Sequence, residues 1–546
     1  MKISLLLVFF FLLSTIAFTQ TVGLQNHNSG SLDDGYVLFA PNTSTTTYLI
    51  DKCGKQVKTW SSTYRPGQSC YILPDGTLLR TGNSNNAVFA AGGTGGIIQK
   101  IDWNGNVTWS YAVSDATKCQ HHDVKMLPNG NILIIAWELK TNTQAIAAGR
   151  NPALVPATLW SEQIIEVQPV GINGGTVVWE WHLWDHLVQD YDVTKSNYGN
   201  IASNPKLLNL NYNASATQVD WIHLNSIDYN PTLDQIMVSV HNLDEIWIID
   251  HSTTAAQAAS HTGGNSGNGG DIIYRWGNPA SYNNGTTANQ KLYGQHNARW
   301  IEAGLPYENQ IMIFNNGIGR PEGNYSTVEI INPPVNGFNY SSTLPYLPLA
   351  TSWNYNYGNP NNLYSQNISG AQQLSNGNVL ICSGSNGTFS EATSSGSLVW
   401  KYVNPVNNFG IISQGTTPTQ NAVFRCTFYP TNYSGFLGNT LITGTTIENS
   451  NPISASCSLI LDISENTMGD EILIFPNPTT DFITVALKNF NADSSIEMYN
   501  TLGQIVLSLN NVSDENTIAT KSLSNGIYFL KINDQDTYKS YTVIKK

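Results

Sequence analysis

Short β-forming runs alternate with clusters of Gly, Asn, Asp, Ser and Pro along most of this chain, which predicts many strands joined by turns. One phrase keeps returning: a turn, a few β-formers, then a tryptophan, often with an aromatic or polar residue two places on. It occurs at Trp60, Trp109, Trp179, Trp276, Trp353 and Trp400. Three of these run on into an Asn-Pro turn, at 277–279, 358–360 and 403–405. A second phrase reads Leu73-Pro74-Asp75-Gly76, Leu127-Pro128-Asn129-Gly130 and Leu374-Ser375-Asn376-Gly377, each followed by another apolar run. Asp-Gly or Asn-Gly between apolar runs marks a hairpin, because both turn positions need positive φ. Repeats of roughly 45 to 95 residues, each with several strands, predict an all-β fold: a β-propeller with insertions. Six cadences predict six blades, with seven as the alternative.

The ends of this region predict how the ring closes. Before the first cadence stand two strands, around 35–39 and 47–50; after the last remain apolar runs at 423–426, 439–442 and 458–461. One blade is therefore expected to combine both ends of the domain and hide the open edges.

Composition agrees with this picture and narrows the partners. Charged residues make up only 12% of the 546, aromatic residues 10%, and there are 45 glycines. A net charge of −13 argues against a nucleic-acid partner held through phosphates. Lys2, the apolar run 5–13 and smaller residues to Gln20 predict a signal peptide over 1–20, whose core is short for a membrane anchor. No other segment is expected to cross a membrane. Six cysteines suit an oxidising compartment and allow up to three disulfides, or free buried thiols for some of them. None forms a Cys-x2-Cys pair, so no structural zinc site is expected.

After a polar linker at 464–471 comes a smaller unit, 472–546. It carries Phe475-Pro476-Asn477-Pro478, Tyr499-Asn500-Thr501-Leu502-Gly503, Leu523-Ser524-Asn525-Gly526 and a terminal Lys545-Lys546. Alternation with regular turns predicts a small β-sandwich. These motifs, in this order, resemble the C-terminal sorting domain of the type IX secretion system of the Bacteroidetes; a carbohydrate-binding module is the alternative. The resemblance implies export through the periplasm and across the outer membrane, with the secretion machinery as a partner.

The candidate chemistry lies in the histidines. Aligned on the apolar residue before each turn, His122, His223 and His296 fall five places ahead of Leu127, Asp228 and Ile301, while Ser369 and Gln68 take that place in two other repeats. Residues in one register on the first strands of a propeller face one funnel. His182, His186, His241, His251 and His261 lie outside the register and are read as surface or packing residues. The register histidines come from different blades without metal-ligand spacing, so no metal and no cofactor is expected there.

Several of these segments are similar to bacterial arylsulfotransferases over about residues 30–463: 35–39, Gln120-His121-His122-Asp123, His223-Leu224-Asn225-Ser226-Ile227, 295–317 and Arg320 to Glu329. That resemblance implies a six-bladed propeller moving a sulfuryl group from a phenolic sulfate ester to a phenolic acceptor, without a nucleotide sulfate donor, through a sulfated histidine. By position, His223 and His296 match funnel histidines, and Arg320 matches the arginine that steadies sulfuryl oxygens by its planar fork. One departure stands out: no histidine follows His296, where the family places its nucleophile. His122 in that role, direct transfer, or altered chemistry remain open. The expected catalytic set is His122, His223, His296 and Arg320, with Ser369, Asn225, Asn297 and Arg425 around the substrate. A non-catalytic propeller binding a glycan or small ligand is the alternative, and a metal-dependent hydrolase a third.

Overall fold

The computed structural model describes residues 20–356 and 363–449, a few positions between 451 and 457, and most of 472–546. The chain separates into two compact units, 1–458 and 459–546. The signal segment and the linker lie outside the described residues, as do 358–360 and 458–461.

Among the described residues, the larger unit contains six sheets with a set of four antiparallel strands, which follow chain order in all but one. That exception, here the first sheet, runs Val423–Pro430, Gly35–Pro41, Thr46–Asp51, Gln56–Ser61, so one late strand completes three early ones. The other five begin with Pro66–Ile72, Lys118–Met126, Leu224–Asn230, His296–Trp300 and Gly370–Gln373. A fifth strand, Gly23–His27, extends the sixth sheet beyond Leu398–Val403. The run 439–442, expected as a strand, is irregular. Its Asn439 side chain instead donates to the Gly435 carbonyl, which places it in the turn after Ser434–Phe436.

First strands pack against one another in cyclic order, and side chains clasp each to the next. Asp123 accepts from Ile227 N, Asp228 from Trp300 N, Asn297 from Ala371 N, Gln372 from Phe428 N and the Tyr429 hydroxyl from Ile72 N, at 2.8–3.3 Å. The Tyr71 hydroxyl returns to Asp123 at 2.7 Å. These strands are polar because their side chains serve neighbours and the centre rather than an oily core.

The tryptophan cadence has the same logic at the other end of each sheet. Every cadence Trp lies on its sheet's fourth strand and donates its indole N–H to the connection after the third strand of the next sheet. The acceptors are Asp102 O, Gly174 O, Thr253 Oγ1, Pro348 O, Ser394 O and Lys52 O, at 2.7–3.4 Å. Apolar cores accordingly lie between neighbouring sheets. Leu133, Ile164 and Trp181 of the third sheet meet Ile227, Val238 and Trp247 of the fourth; Ile246 and Trp276 meet Trp300 and Ile313.

At the seam between sixth and first sheets, Lys52 Nζ stands 2.6 Å from Glu391 Oε2, both side chains wholly buried. A disulfide, Cys53–Cys457, joins the two ends of the unit. It is the one disulfide among the described residues, against the three the count allowed; Cys70, Cys119, Cys382 and Cys426 are buried thiols.

A charged pin ties the third sheet to the fourth: His251 sits between Glu166 (3.0 Å) and Asp234 (2.7 Å). Burial opposes its charge, but the two carboxylates outweigh burial and push its pKa from 6.5 up to about 9. The stabilisation is complete below pH 6.5 and lost as pH rises through about 9. With Asp234 38% exposed, screening leaves it on the order of 2 kcal/mol. Urea unfolding should show His251→Gln less stable than wild type by that amount at about pH 6, with the gap closing by about pH 9.5. A gap independent of pH would remove the charged pin.

In the smaller unit, a three-stranded sheet (Ile472–Phe475, Phe482–Leu487, Glu515–Ala519) and a four-stranded sheet (Ser495–Tyr499, Ile505–Asn510, Gly526–Asp534, Thr537–Lys545) share one core. Val485, Met498, Leu530 and Ile532 lie in it.

Candidate functional site

The site forms where the first strands begin. Each register position lies at or beside a residue in the left-handed region: Gln68, His122, His223, Asn297 and Ser369 have φ of 105°, 51°, 60°, 53° and 93°. Strand pairing skips there too, between Pro66 and Cys70, Ile134 and Ala136, Leu224 and Ser226, and His296 and Arg299. Such bulges re-aim a side chain that a regular strand would point into a neighbour. Gly93 (φ 91°) crosses so close to His122 that a Cβ on it would lie 1.9 Å from the ring.

The three register histidines converge, and a fourth links them. His122 and His223 meet edge to face with ring centroids 4.6 Å apart; His223 and His241 are 5.3 Å apart, and His241 and His296 5.2 Å. His241, read from sequence as a surface or packing residue, is thus inside the cluster. It enters from the end of the second strand of its sheet, Gln235–Val240, a position the first-strand register does not examine.

Two carboxylates back this row. Glu162 Oε2 lies 2.8 Å from Nε2 of His121, whose Nδ1 is 2.9 Å from Nδ1 of His122, and His121 stacks on Trp137. Asp220 Oδ2 lies 2.5 Å from Nδ1 of His223. In both chains the inner nitrogen is engaged, leaving Nε2 of His122 and of His223 without a hydrogen bond among the described residues. His296 differs: Nδ1 faces Asn316 Oδ1 at 2.8 Å, and Nε2 accepts the N–H of Ile368 at 3.1 Å.

Burial sets most protonation states. It pushes His121 down to about 3 and His241 to about 4, and with the neighbouring His223 it holds His122 well below 6.5. Burial and His241 do the same to His296. His223 goes the other way, since Asp220 outweighs the burial that disfavours its charge. The cluster is one cation-prone imidazole among neutral ones.

The remaining candidates are placed as follows. Arg320 donates to Thr327 Oγ1 (2.7 Å) and Glu329 Oε1 (3.4 Å) and lies between Tyr293 and Tyr325; its bonds do not go to the histidines. The Ser369 hydroxyl is committed to Ser365, Asn367 O and Gly384 N. Asn225 donates to Gln295 O, joining the fourth sheet to the fifth, and Asn297 clasps Ala371. Arg425 binds Tyr71 (2.6 Å) and Asp123 (2.9 Å) beside His122, and its Nε and Nη2 are buried without partners.

Residues 21–433 match the profile of the arylsulfotransferase (ASST) family. This chain belongs to the arylsulfotransferase family. Residues 473–546 match the secretion system C-terminal sorting domain, here of type IX, which indicates secretion or cell-surface export. Beta-agarase A of Zobellia galactanivorans is 39% identical over 66 residues, and the chain spans 12% of that relative. Similar solved structures include a protein of unknown function from Bacteroides caccae (11% identity, 72% of this chain, 98% of that one, TM-score 0.40). A streptogramin B lyase (10%, 76% and 95%, 0.34) and a 6-phosphogluconolactonase-like protein of Bacteroides fragilis (8%, 74% and 99%, 0.33) are others. No described helix is long and apolar enough to cross a membrane.

Within this arylsulfotransferase-family chain, the carboxylates Glu162 and Asp220 escaped the sequence reading. Glu162 stands 41 residues beyond His121 on another segment, and no spacing rule links the two. Asp220, three residues before His223, and His121, the neighbour of His122, did leave signals in the sequence.

Proposed function

We propose that this protein is a six-bladed β-propeller that transfers a sulfuryl group from a phenolic sulfate ester to a phenolic acceptor on its histidine cluster, with no nucleotide sulfate donor. It acts outside the cell. A leader at 1–20 and a linker at 464–471 flank the catalytic domain, 21–463, and the tail from 472 addresses it to the type IX machinery. The observation that carries the reading is the pair of carboxylate-backed imidazoles, Glu162–His121–His122 and Asp220–His223, standing side by side.

Burial pushes the Glu162 carboxyl well above its usual 4.5, so the nucleophile requires the form in which Glu162 has given up its proton: His121 then donates from Nε2 to Glu162, and His122 donates from Nδ1 to His121. Nε2 of His122 then carries a bare lone pair, as a nucleophile requires. It attacks sulfur; the S–N bond forms, the S–O bond to the donor breaks, and His223 gives the departing phenolate its Nε2 proton. In the second half, the acceptor phenol loses its proton to His223 and its oxygen takes sulfur from His122. Arg320 and Arg425 each hold buried donors without a partner among the described residues, Nε of the first and Nε and Nη2 of the second, which suit sulfate oxygens. Asn225 and Asn297 fix the strands that carry the histidines, and Ser369 holds its bulge.

The test is release of a coloured phenol from its sulfate ester by the full chain, with and without an acceptor phenol. Acceptor-dependent release is expected, with an alkaline limb above pH 6.5 because Asp220 raises His223. Asp220→Asn should move that limb to lower pH. Acceptor-independent release would make the protein a sulfatase, and no release from folded protein would make it a ligand-binding propeller.

A further inference from the structure

Away from the cluster, three side chains from separate loops converge. His186 follows the last strand of the third sheet, His261 lies in the excursion between third and fourth strands of the fourth sheet, and Asp271 immediately precedes that fourth strand. Asp271 Oδ1 stands 2.8 Å from Nδ1 of His186 and 2.7 Å from Nδ1 of His261. Each of the three residues offers a ligand atom within 4.8 Å of the other two.

The far side of His186 makes this arrangement informative. Its Nε2 faces the carbonyl oxygen of Ala258 at 2.8 Å, so Nε2 carries a proton. With Nε2 engaged, Nδ1 is the nitrogen that this wholly buried ring, stacked on Trp181, turns toward the carboxylate oxygen. An outer N–H held by a carbonyl is also how proteins orient an imidazole that binds metal.

We propose that His186 Nδ1, His261 Nδ1 and Asp271 Oδ1 bind one divalent transition-metal ion of the zinc class. Two imidazoles and a carboxylate form a donor set that zinc takes with one position left open. Bonds of about 2.0–2.1 Å in a tetrahedron space ligand atoms roughly 3.3 Å apart, about half an ångström wider than here. His261, 57% exposed, has the freedom to supply that shift on its own side, and the His186–Asp271 separation must widen from 2.8 Å by a similar amount. It also lines a cavity of about 640 Å³ with Trp184, Asp185, Lys195 and Tyr198, so the ion occupies the cavity wall. The ammonium of Lys206 is turned to Asn268 at 2.6 Å. The site is independent of the sulfuryl-transfer reading. Sequence alone did not suggest it, since 75 residues separate His186 from His261.

Cobalt(II) titration of the metal-free full chain tests it through the visible absorption of a four-coordinate ion. Saturation at one equivalent, displacement by zinc, and at least tenfold weaker binding in Asp271→Asn and in His261→Ala are expected. Turnover of an aryl sulfate should be unchanged in both variants, and His296→Asn should bind cobalt as wild type does. No stoichiometric uptake by folded wild type, or wild-type binding by both variants, overturns the proposal. His186, His261 and Asp271 would then form a structural hydrogen-bonded cluster.

Discussion

His122→Asn should lower acceptor-dependent sulfuryl transfer by about 10⁴-fold or more, the size of loss seen when a covalent nucleophile is removed. Asparagine is the replacement of choice because it tolerates the left-handed backbone of position 122, φ 51°, where most side chains would add strain. The loss then reports chemistry, and the melting midpoint should move only a few degrees. His296→Asn is the contrasting variant. Its Nε2 is already bonded to Ile368 N, so it positions the sixth sheet's first strand and its loss should cost roughly 10–100-fold. Steady-state rates with several donors, and mass spectrometry of protein quenched during turnover, check the order. Sulfation on His122 is expected; a larger loss at His296, or sulfation elsewhere, would reassign the nucleophile.

The second large effect is on stability. Lys52→Met should cost about 3–5 kcal/mol, because it leaves Glu391 charged and sealed at the seam. Glu391 still accepts from Asp33 N and Asn378 Nδ2, which soften the cost without neutralising the charge. Lys52→Met combined with Glu391→Leu should recover most of the loss, since two apolar side chains remove the stranded charge. Denaturant unfolding of the two single variants and the double variant measures this. A double variant no better than the worse single one would mean the seam depends on the pair itself.

Much of this was legible in the chain. The tryptophan cadence marked the fourth strand of all six sheets because one indole bond repeats from sheet to sheet, and a repeated bond leaves a repeated residue. Asp75-Gly76 and Asn129-Gly130 marked hairpins because the turn dictates its residues locally. The histidine register was readable for the same reason: His122, His223 and His296 occupy equivalent places in equivalent repeats. Asp220, three residues before His223, left a signal that the register passed over; His241 and Glu162 were not readable, because each reaches the cluster from a distant part of the chain. Their partnership with the register histidines exists only after folding, as does the pairing of Cys53 with Cys457. Arg320 shows the converse: its place in a motif was legible, but its bonds to Thr327 and Glu329 depend on how the hairpin packs.

The late strand of the first sheet also bears on synthesis. Gly35–Pro41, every residue of it buried in the finished fold, has no partner on one side until Val423–Pro430 has been made. During most of its synthesis the chain therefore carries an open apolar edge and no complete ring. A truncation before residue 423 would leave that edge permanently exposed, with aggregation as its expected fate. The same delay keeps the growing chain from locking prematurely, the state a polypeptide needs if it is to leave the compartment where it is made before it folds.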